Sequence, residues 1–262
     1  MNEIYNQDIT LVCDETFDGI MTAIYDGWVL MNKGCTVHIH PGRDYAPTFF
    51  SQFVPIETDL DKAVRVAESI RVKVSDKAYR MVYEACMHYD ADRADAVFGF
   101  LKLAYPAGAR VTQMLTNPFV MRLMELKRKV LNEAHLFKEF LRFDELKGRV
   151  LYGKIEPKCD VLPFVSQHFE ARFPEEDWII YDEKRKKAAV HKHNMDVVFV
   201  EGQDIEQRIT DLKIDDEYRD LWRVFFDTIG IEARKNPKCQ QNHMPQWYRK
   251  NMTEFSHAMQ NK

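Results

Sequence analysis

The sequence lacks the short motifs by which common enzyme classes are recognised. Its 262 residues include 10 glycines, but none of them forms a phosphate-binding loop or a dinucleotide-binding fingerprint. A nucleophile elbow and a paired-histidine zinc helix are absent as well. An enzymatic function therefore has to be assembled from residues outside these motifs.

Cysteines are few and scattered. The five cysteines are odd in number and no two lie close together in the sequence. This pattern predicts free thiols in a reducing cytoplasm, and it predicts neither a zinc site nor an iron–sulfur cluster. We therefore expect no cofactor and no metal. His38 and His40 could both bind a metal ion, but no third ligand lies near them in the sequence. The sequence therefore favours the interpretation that both are exposed histidines on a strand.

Apolar runs of membrane-spanning length are also missing, and the polar, acidic residues 1–8 do not resemble a secretory signal. We therefore expect a cytoplasmic protein that makes no membrane contact. The net charge of −4 argues against a uniformly basic nucleic-acid binder but allows a local basic face. A hydrophobic content of 45% is typical of a globular protein.

Hydrophobic periodicity predicts a mainly helical first half. Ile9–Cys13 and Thr36–His40 are predicted strands, and the helix between them begins after Asp14-Glu15-Thr16. Pro41–Pro55 is predicted to be an ordered loop. Ser75 and Asn117 are suited to begin two further helices. The predicted inward positions of the first and the longest helix are Phe17, Ile20, Met21, Ile24, Tyr25, Trp28 and Val29, and Leu123, Met124, Leu126, Val130, Leu131, Ala134 and Phe137.

From residue 140 onward the pattern changes to strands. The predicted strands are Phe140–Asp144, Arg149–Ile155, Trp178–Tyr181, Ala188–His193 and Asp196–Val200, and Asp160 is predicted to cap an intervening helix. The fold class is therefore α+β, with a mainly helical N-terminal half and an antiparallel sheet with flanking helices in the C-terminal half. We expect one unit over residues 1–262, and a subdivision into 1–139 and 140–262 is the alternative.

Two basic clusters admit two interpretations each. The longest helix carries the first, and the tip of the hairpin after Trp178 carries the second. Both are explained by solvation alone, and both could instead contact a nucleic-acid backbone. The residues are Arg122, Lys127, Arg128 and Lys129 in the helix, and Lys184, Arg185, Lys186 and Lys187 in the hairpin.

The segment from Asp220 to Tyr248 gives the strongest indication of a ligand site. Residues 221–229 are spaced as on a half-buried helix, which Gly230 is suited to end. The next residues are rich in hydrogen-bond donors, and Pro245 can begin a short last helix. A solvated connector between two helices is the alternative. The donors and aromatic residues are Arg234, Lys235, Asn236, Lys238, Gln240, Gln241, Asn242, His243, Trp247 and Tyr248.

These side chains suit recognition of nucleic acid. Arg234, Lys235 and Lys238 would contact phosphates, and Asn236 and Gln240 would contact base edges. The aromatic pair, Trp247 and Tyr248, would stack on bases. This hypothesis predicts an affinity that falls steeply with salt.

An enzymatic hypothesis uses the same donors together with an acidic helix start. Asp14 or Glu15 would supply a carboxylate base, and His243 would shuttle a proton. A glycosylase-like reaction needs these groups around a flipped base. Nothing in the sequence alone brings the groups together.

Three blocks of the sequence occur in the order and spacing typical of one bacterial family. The first block is residues 14–24, which begins Asp14-Glu15-Thr16-Phe17. The second comprises Arg142-Phe143, Tyr152-Gly153, Ile155-Glu156-Pro157, Asp160-Val161-Leu162-Pro163, His168-Phe169, Arg172-Phe173 and Trp178-Ile179. The third comprises Thr228-Ile229, Arg234-Lys235-Asn236-Pro237, Gln240, Met244-Pro245 and Tyr248. Over nearly its whole length, the chain resembles the family named probable DNA metabolism protein.

The resemblance implies which proteins this one is encoded beside or related to, but it does not imply a known reaction. Proteins of this family are typically encoded beside a radical SAM protein suspected of acting on DNA, and a related domain is fused to a uracil-DNA glycosylase-type domain. It therefore implies an accessory role in DNA metabolism or repair, with DNA and the radical SAM protein as partners. A glycosylase-like enzyme and a protein-interaction module without nucleic-acid contact are the alternatives.

Overall fold

The structure is a computed structural model that describes residues 8–42, 52–202, 246–249 and 252 of the chain. The chain divides into two compact units, residues 1–131 and 132–262. The predicted α+β class is confirmed, because helices dominate the first half and a mostly antiparallel five-stranded sheet lies in the second. The subdivision into domains remains a prediction. None of the described helices is long and apolar enough to cross a membrane.

The first unit contains a small parallel sheet. Strands β1 (Asp8–Cys13), β2 (Thr36–Pro41) and β3 (Gln52–Pro55) pair in the order β2-β1-β3, and both outer strands are parallel to β1. Helix α1 (Phe17–Met31) connects β1 to β2, as a crossover between parallel strands requires. The prediction that residues 41–55 form only a loop is wrong, since Gln52–Pro55 pairs with β1 through contacts distant in sequence.

Helices cover this sheet and begin at the polar residues expected to cap them. The oxygens of Thr16 and Ser75 accept hydrogen bonds from the N–H groups of Gly19 and Ala78, both at 3.1 Å. Asn117 accepts one from Phe119 at 3.0 Å. The remaining helices of this part are α2 (Leu60–Lys73), α3 (Asp76–Cys86), α4 (Arg93–Ala107), a 3₁₀ helix (Gly108–Gln113) and α5 (Pro118–Phe140).

Two predicted helix faces need correction. Met124 was expected to be buried but is 40% exposed, because it lies about 100° around α5 from the buried Leu123. Val29 was expected inside and is 43% exposed. Ile20, Met21 and Ile24, predicted to face inward, are fully buried, whereas Phe17, Tyr25 and Trp28 are half-buried at the margin of the core.

The second unit is organised around strands β4 (Phe143–Leu146), β5 (Val150–Ile155), β6 (Trp178–Asp182), β7 (Lys187–His191) and β8 (Val198–Glu201), which pair in sequence order. All neighbours are antiparallel except β5 and β6, which are parallel and are connected through helix α6 (Leu162–Arg172). Asp160 does not cap α6 as predicted. Val161 occupies that position without a side-chain hydrogen bond, and Asp160 lies one residue too early.

Aromatic residues pack between α6 and the first strands. The ring centroid of Phe143 lies 5.0 Å from that of Phe169 and 5.9 Å from that of Phe173, in edge-to-face geometry. Gly153 opposes them, since a Cβ there would lie 3.0 Å from Leu141 Cδ1 and 3.1 Å from Phe143 Cε1. These residues of the second sequence block therefore have a packing role.

Candidate nucleic-acid interface

Trp247 presents an exposed aromatic ring in the second unit. It lies in the short helix α7 (Gln246–Arg249), and the residue is 48% exposed. Its indole Nε1 donates a hydrogen bond to the main-chain oxygen of Glu156 at 2.9 Å. The Nζ of Lys158 lies 5.8 Å from the centre of the indole ring. An anchored indole beside an ammonium group can accept a stacked base and its phosphate.

Tyr248, the neighbouring aromatic residue, faces the protein. Its ring centroid lies 4.9 Å from that of Phe137 and 6.0 Å from that of Phe140, both near the end of α5. Burial, together with the nearby carboxylate of Glu133, raises the pKa of Tyr248. Tyr248 therefore anchors α7, and Trp247 is the better placed of the two for stacking.

Both partners of the indole belong to the connection between β5 and α6, residues 156–161, which we call the β5–α6 loop. Helix α5 holds this loop from one side. The two carboxylate oxygens of Glu133 accept hydrogen bonds from the main-chain N–H groups of Lys158 and Cys159, each at 2.8 Å. These two bonds fix the backbone from which Lys158 extends.

The β6–β7 hairpin holds the same loop from the other side. Arg185 donates hydrogen bonds to the carbonyl oxygens of Pro157 at 3.4 Å and Lys158 at 2.6 Å. The same guanidinium group pairs with the fully buried carboxylate of Asp182 at 3.0 Å. One of the four basic residues at the hairpin tip is therefore committed to the protein itself.

Two acidic groups are buried near the loop. Desolvation raises the pKa of Asp182, and the nearby charge of Asp160 acts in the same direction, while Arg185 opposes both. The Oδ1 atom of Asp160 is buried and has no hydrogen-bond partner within the described residues. Arg185 is the cation that compensates this negative charge, so it is needed for local stability.

Other predicted basic residues form ion pairs. Lys187 pairs with Glu201 at 2.8 Å in the hairpin. In α5, Lys127 pairs with Glu84 at 2.7 Å. Arg122 contacts three carboxylates at 2.7 to 2.9 Å, those of Asp90, Asp92 and Glu125. These pairs favour the structural interpretation of both basic clusters over direct contact with phosphates.

Asp14, a predicted catalytic candidate, lies in the first unit at the carboxyl end of β1. Its Oδ2 accepts a hydrogen bond at 2.5 Å from the Oγ1 of Thr58, a residue that follows β3. The adjacent Glu15 pairs with Arg93 at 3.6 Å. The chain places β2 on one edge of β1 and then β3 on the other, so the strand order changes direction at β1. Open parallel sheets bind ligands at the carboxyl ends of strands where the order changes in this way. The catalytic role of Asp14 stays a prediction.

The strand histidines and the remaining predicted residues are placed as follows. His38 Nδ1 pairs with the carboxylate of Asp95 at 2.8 Å in the first unit. Arg149, the first residue of the predicted strand Arg149–Ile155, lies instead in the β4–β5 turn of the second unit, where it is exposed and has a φ of 62°. The predicted donors that lie outside the described residues are Arg234, Lys235, Asn236, Lys238, Gln240, Gln241, Asn242 and His243.

Sequence reasoning missed two residues that shape this face, Glu133 and Lys158, and it did not predict that Arg185 would bind the β5–α6 loop. Glu133 lies 25 residues before Lys158, so no local pattern connects them. The signal available for Lys158 was its position between two parts of the second sequence block, Ile155-Glu156-Pro157 and Asp160-Val161-Leu162-Pro163. Those motifs supply four of the six residues of the loop that touches Trp247.

The fold and this face define an α+β protein with a candidate aromatic and basic binding surface in its second unit. A family described as a domain of unknown function, DUF4130, matches residues 91–254. Because the match spans more than half of the chain, the protein belongs to this family. No curated protein matches the sequence.

Among solved structures, the chain is similar to a DHH domain described as a member of the s1p family of ribosomal proteins. The identity is 10% and the TM-score is 0.32, over 71% of this chain and 73% of that chain. Similarity at this level supports no conclusion about fold or function.

Proposed function

We propose that the protein is an accessory factor in DNA metabolism or repair that binds nucleic acid and works with a radical SAM partner. The described residues of the binding face are Trp247 and Lys158, and the sequence predicts that the donors of residues 234–240 contribute to binding as well. The observation that best supports the proposal is the half-exposed indole of Trp247, whose N–H is satisfied by Glu156 and whose neighbour is an ammonium group. In this arrangement the indole needs no base edge as a partner and can stack on any base.

Rigidity of the β5–α6 loop also supports the proposal. Glu133 and Arg185 fix the main chain around Lys158 before any ligand arrives. Groups held in place lose less conformational entropy on binding, so more of each contact remains as affinity. A base stacked on an aromatic side chain contributes about 1–3 kcal/mol.

The sequence resemblance supports the biological setting. The matched family region, residues 91–254, includes α7, the β5–α6 loop and the predicted donor segment. In this proposal the radical SAM partner performs the chemistry, and the present protein grips and presents the DNA.

The experiment is fluorescence anisotropy with labelled single-stranded and duplex oligonucleotides. Trp247→Ala and Lys158→Ala are the test variants. Phe199→Ala is the matched aromatic control, because Phe199 is 50% exposed in the same unit. Lys147→Ala, in the exposed β4–β5 turn, is the matched cationic control. We expect Trp247→Ala to weaken binding about tenfold, the loss of one stacked base, and both controls to bind as the unmodified protein does. Equal binding by all four variants contradicts the proposal.

Two further measurements distinguish the alternatives. Release of a base or strand from uracil-, abasic- or alkyl-containing oligonucleotides indicates a glycosylase-like enzyme. Capture of the radical SAM protein that persists after nuclease treatment, with no binding of any oligonucleotide, indicates a protein-interaction module.

A further inference from the structure

A cavity of about 590 Å³ opens in the first unit. Its walls are the C-terminal half of α1, one side of α2 and the end of α4. The volume lies within the range of about 300–1,000 Å³ that small-molecule sites occupy in proteins. The cavity is therefore large enough for a ligand of several tens of atoms.

Aromatic side chains form its apolar walls. Tyr25 and Trp28 come from α1, and Tyr105 comes from α4. The rings of Trp28 and Tyr105 meet edge to face, with centroids 5.6 Å apart and an interplanar angle of 79°. The hydroxyl of Tyr105 is hydrogen-bonded to Ser69 on α2, which fixes the ring. These fixed rings suit a planar, aromatic ligand.

Two cations border the aromatic walls. Arg65, Ser69 and Lys73 are spaced four residues apart, so they form one stripe along α2. Neither Arg65 nor Lys73 has an ion-pair partner among the described residues. Lys62 on the same helix, by contrast, pairs with Asp26 at 2.8 Å.

Arg65 is the more informative of the two cations. Lys73 is the last residue of α2, where the helix dipole favours a positive charge without any ligand. Arg65 lies in the middle of α2, where the helix dipole has little effect on a charge. Its guanidinium group can bind a phosphate or carboxylate through two parallel hydrogen bonds.

The position of the cavity separates it from Asp14. Helix α1 begins beside the carboxyl end of β1, where Asp14 lies, and the cavity is lined by residues 25–32 at the other end of the helix. The fifteen residues of α1 span about 22 Å. The cavity is consequently a site distinct from the carboxyl edge of the sheet.

We propose that this cavity binds a mononucleotide, with the base against Tyr25, Trp28 and Tyr105 and the phosphate on Arg65. The aromatic walls select a planar group, and the guanidinium of Arg65, which has no ion-pair partner in the described part of the chain, selects an anion attached to it. This site does not depend on the proposed DNA-binding face, because none of its lining residues belongs to the second unit.

The test is isothermal titration calorimetry of the full chain with adenosine 5′-monophosphate and uridine 5′-monophosphate, and with adenosine and inorganic phosphate as separate ligands. We expect at least one mononucleotide to bind, and each separate ligand to bind at least about tenfold more weakly. Arg65→Ala should weaken the mononucleotide about tenfold, the loss of a charge-assisted hydrogen bond. Arg80→Ala, an exposed cation on α3, is the matched control.

A second variant blocks the cavity without changing its cations. Val29 lines the opening and is 43% exposed, so Val29→Glu places a negative charge there at little cost to folding. We expect this variant to abolish mononucleotide binding while circular dichroism stays unchanged. The inference is overturned if no mononucleotide binds the folded protein, if adenosine binds as tightly as its phosphate, or if Arg65→Ala and Arg80→Ala behave alike. Trp247→Ala should bind the mononucleotide normally, which separates this site from the proposed DNA-binding face.

Discussion

Glu133 accepts a hydrogen bond from the main-chain N–H of Lys158 at 2.8 Å, and its other carboxylate oxygen accepts one from the following residue. Through these bonds, helix α5 fixes the β5–α6 loop, which lies 25 residues later in the sequence. The loop in turn supplies the oxygen that anchors the indole of Trp247. The position of the proposed stacking residue thus depends on a carboxylate that contacts no ligand.

Removing this carboxylate should destabilise the second unit. Glu133→Ala removes the acceptor of two main-chain N–H groups. Water can replace it for the exposed Lys158, but the N–H of Cys159 is partly buried, and leaving it unsatisfied costs about 1–3 kcal/mol of unfolding free energy. Glu133→Gln keeps one acceptor oxygen and should cost less. Glu139→Ala is the control, because Glu139 lies on the same helix and pairs with the exposed His135. Urea unfolding measures all three, and equal stability of Glu133→Ala and Glu139→Ala contradicts the anchoring role.

Acid should weaken the first unit through Glu125. Hydrogen bonds from Lys129 and Arg122 lower the pKa of Glu125 from its ordinary 4.5 to about 2. A carboxyl with a lower pKa in the folded state stabilises the fold above its unfolded pKa, and this contribution is lost as pH falls towards the folded pKa. The contribution of Glu125 should therefore decline between about pH 4.5 and pH 2.

The measurement compares the unmodified protein with Glu125→Gln in urea at a series of pH values. The stability difference should be largest near neutrality and shrink below about pH 4.5. Solvent screens this exposed pair, so we expect a small difference throughout. Glu68→Gln on α2 is the control, and a penalty for Glu125→Gln that stays constant down to pH 3 contradicts the assignment.

Native thiols should react slowly. Burial raises the pKa of Cys13 and that of Cys86 to about 12, from an ordinary value of 9.0. Because only the thiolate is nucleophilic, each should hold roughly a thousandfold less reactive form than a free cysteine at pH 8. Peptide-resolved mass spectrometry after iodoacetamide treatment should find both unmodified in the native protein and labelled in urea. Rapid native labelling of either thiol contradicts their burial.

Gly153 should tolerate no side chain. Gly153→Ala places a Cβ 3.0 Å from Leu141 Cδ1 and should destabilise the protein by about 1–3 kcal/mol, as overpacking does. Leu141→Ala alone should cost about 2–5 kcal/mol through its cavity. In the double variant the new methyl group fills part of that space, so the combined loss should be less than the sum. Additive losses in thermal or urea unfolding contradict the proposed contact.

Local signals in the sequence predicted the elements that are determined locally. Thr16, Ser75 and Asn117 begin helices because their side chains satisfy N–H groups within three residues. The hairpin around residues 183–187 follows in the same way from alternating flanks and a polar turn. Each of these assignments needs only neighbouring residues.

The errors occur where distant residues determine the structure. The short segment Gln52–Pro55 becomes a strand only because β1 offers an edge. Asp160 resembles a helix cap in sequence, yet its Oδ1 atom is buried in the β5–α6 loop, and its charge lies near Asp182 of β6. Tyr25 and Trp28 are half-buried against the core and Val29 is exposed, and all three line the cavity between α1, α2 and α4 rather than a closed core.

The candidate site was predictable only in part. Trp247 and Tyr248 were singled out as an aromatic pair, whereas their different surroundings depend on Phe137 and Glu156, which are far away in the sequence. The role of Lys158 requires the loop geometry that Glu133 and Arg185 impose. Non-local hydrogen bonds of this kind leave no periodic signal in the sequence.

The most direct test of the nucleic-acid hypothesis is the salt dependence of oligonucleotide affinity in the unmodified protein and in Lys158→Ala. Each phosphate contact adds about 0.7 to 0.9 to the slope of log affinity against log salt. We predict a linear loss of affinity with salt in the unmodified protein, and a slope reduced by about one contact in Lys158→Ala. Lys147→Ala should keep the full slope. Affinity that does not change with salt, or identical slopes for all three proteins, contradicts the proposed binding face.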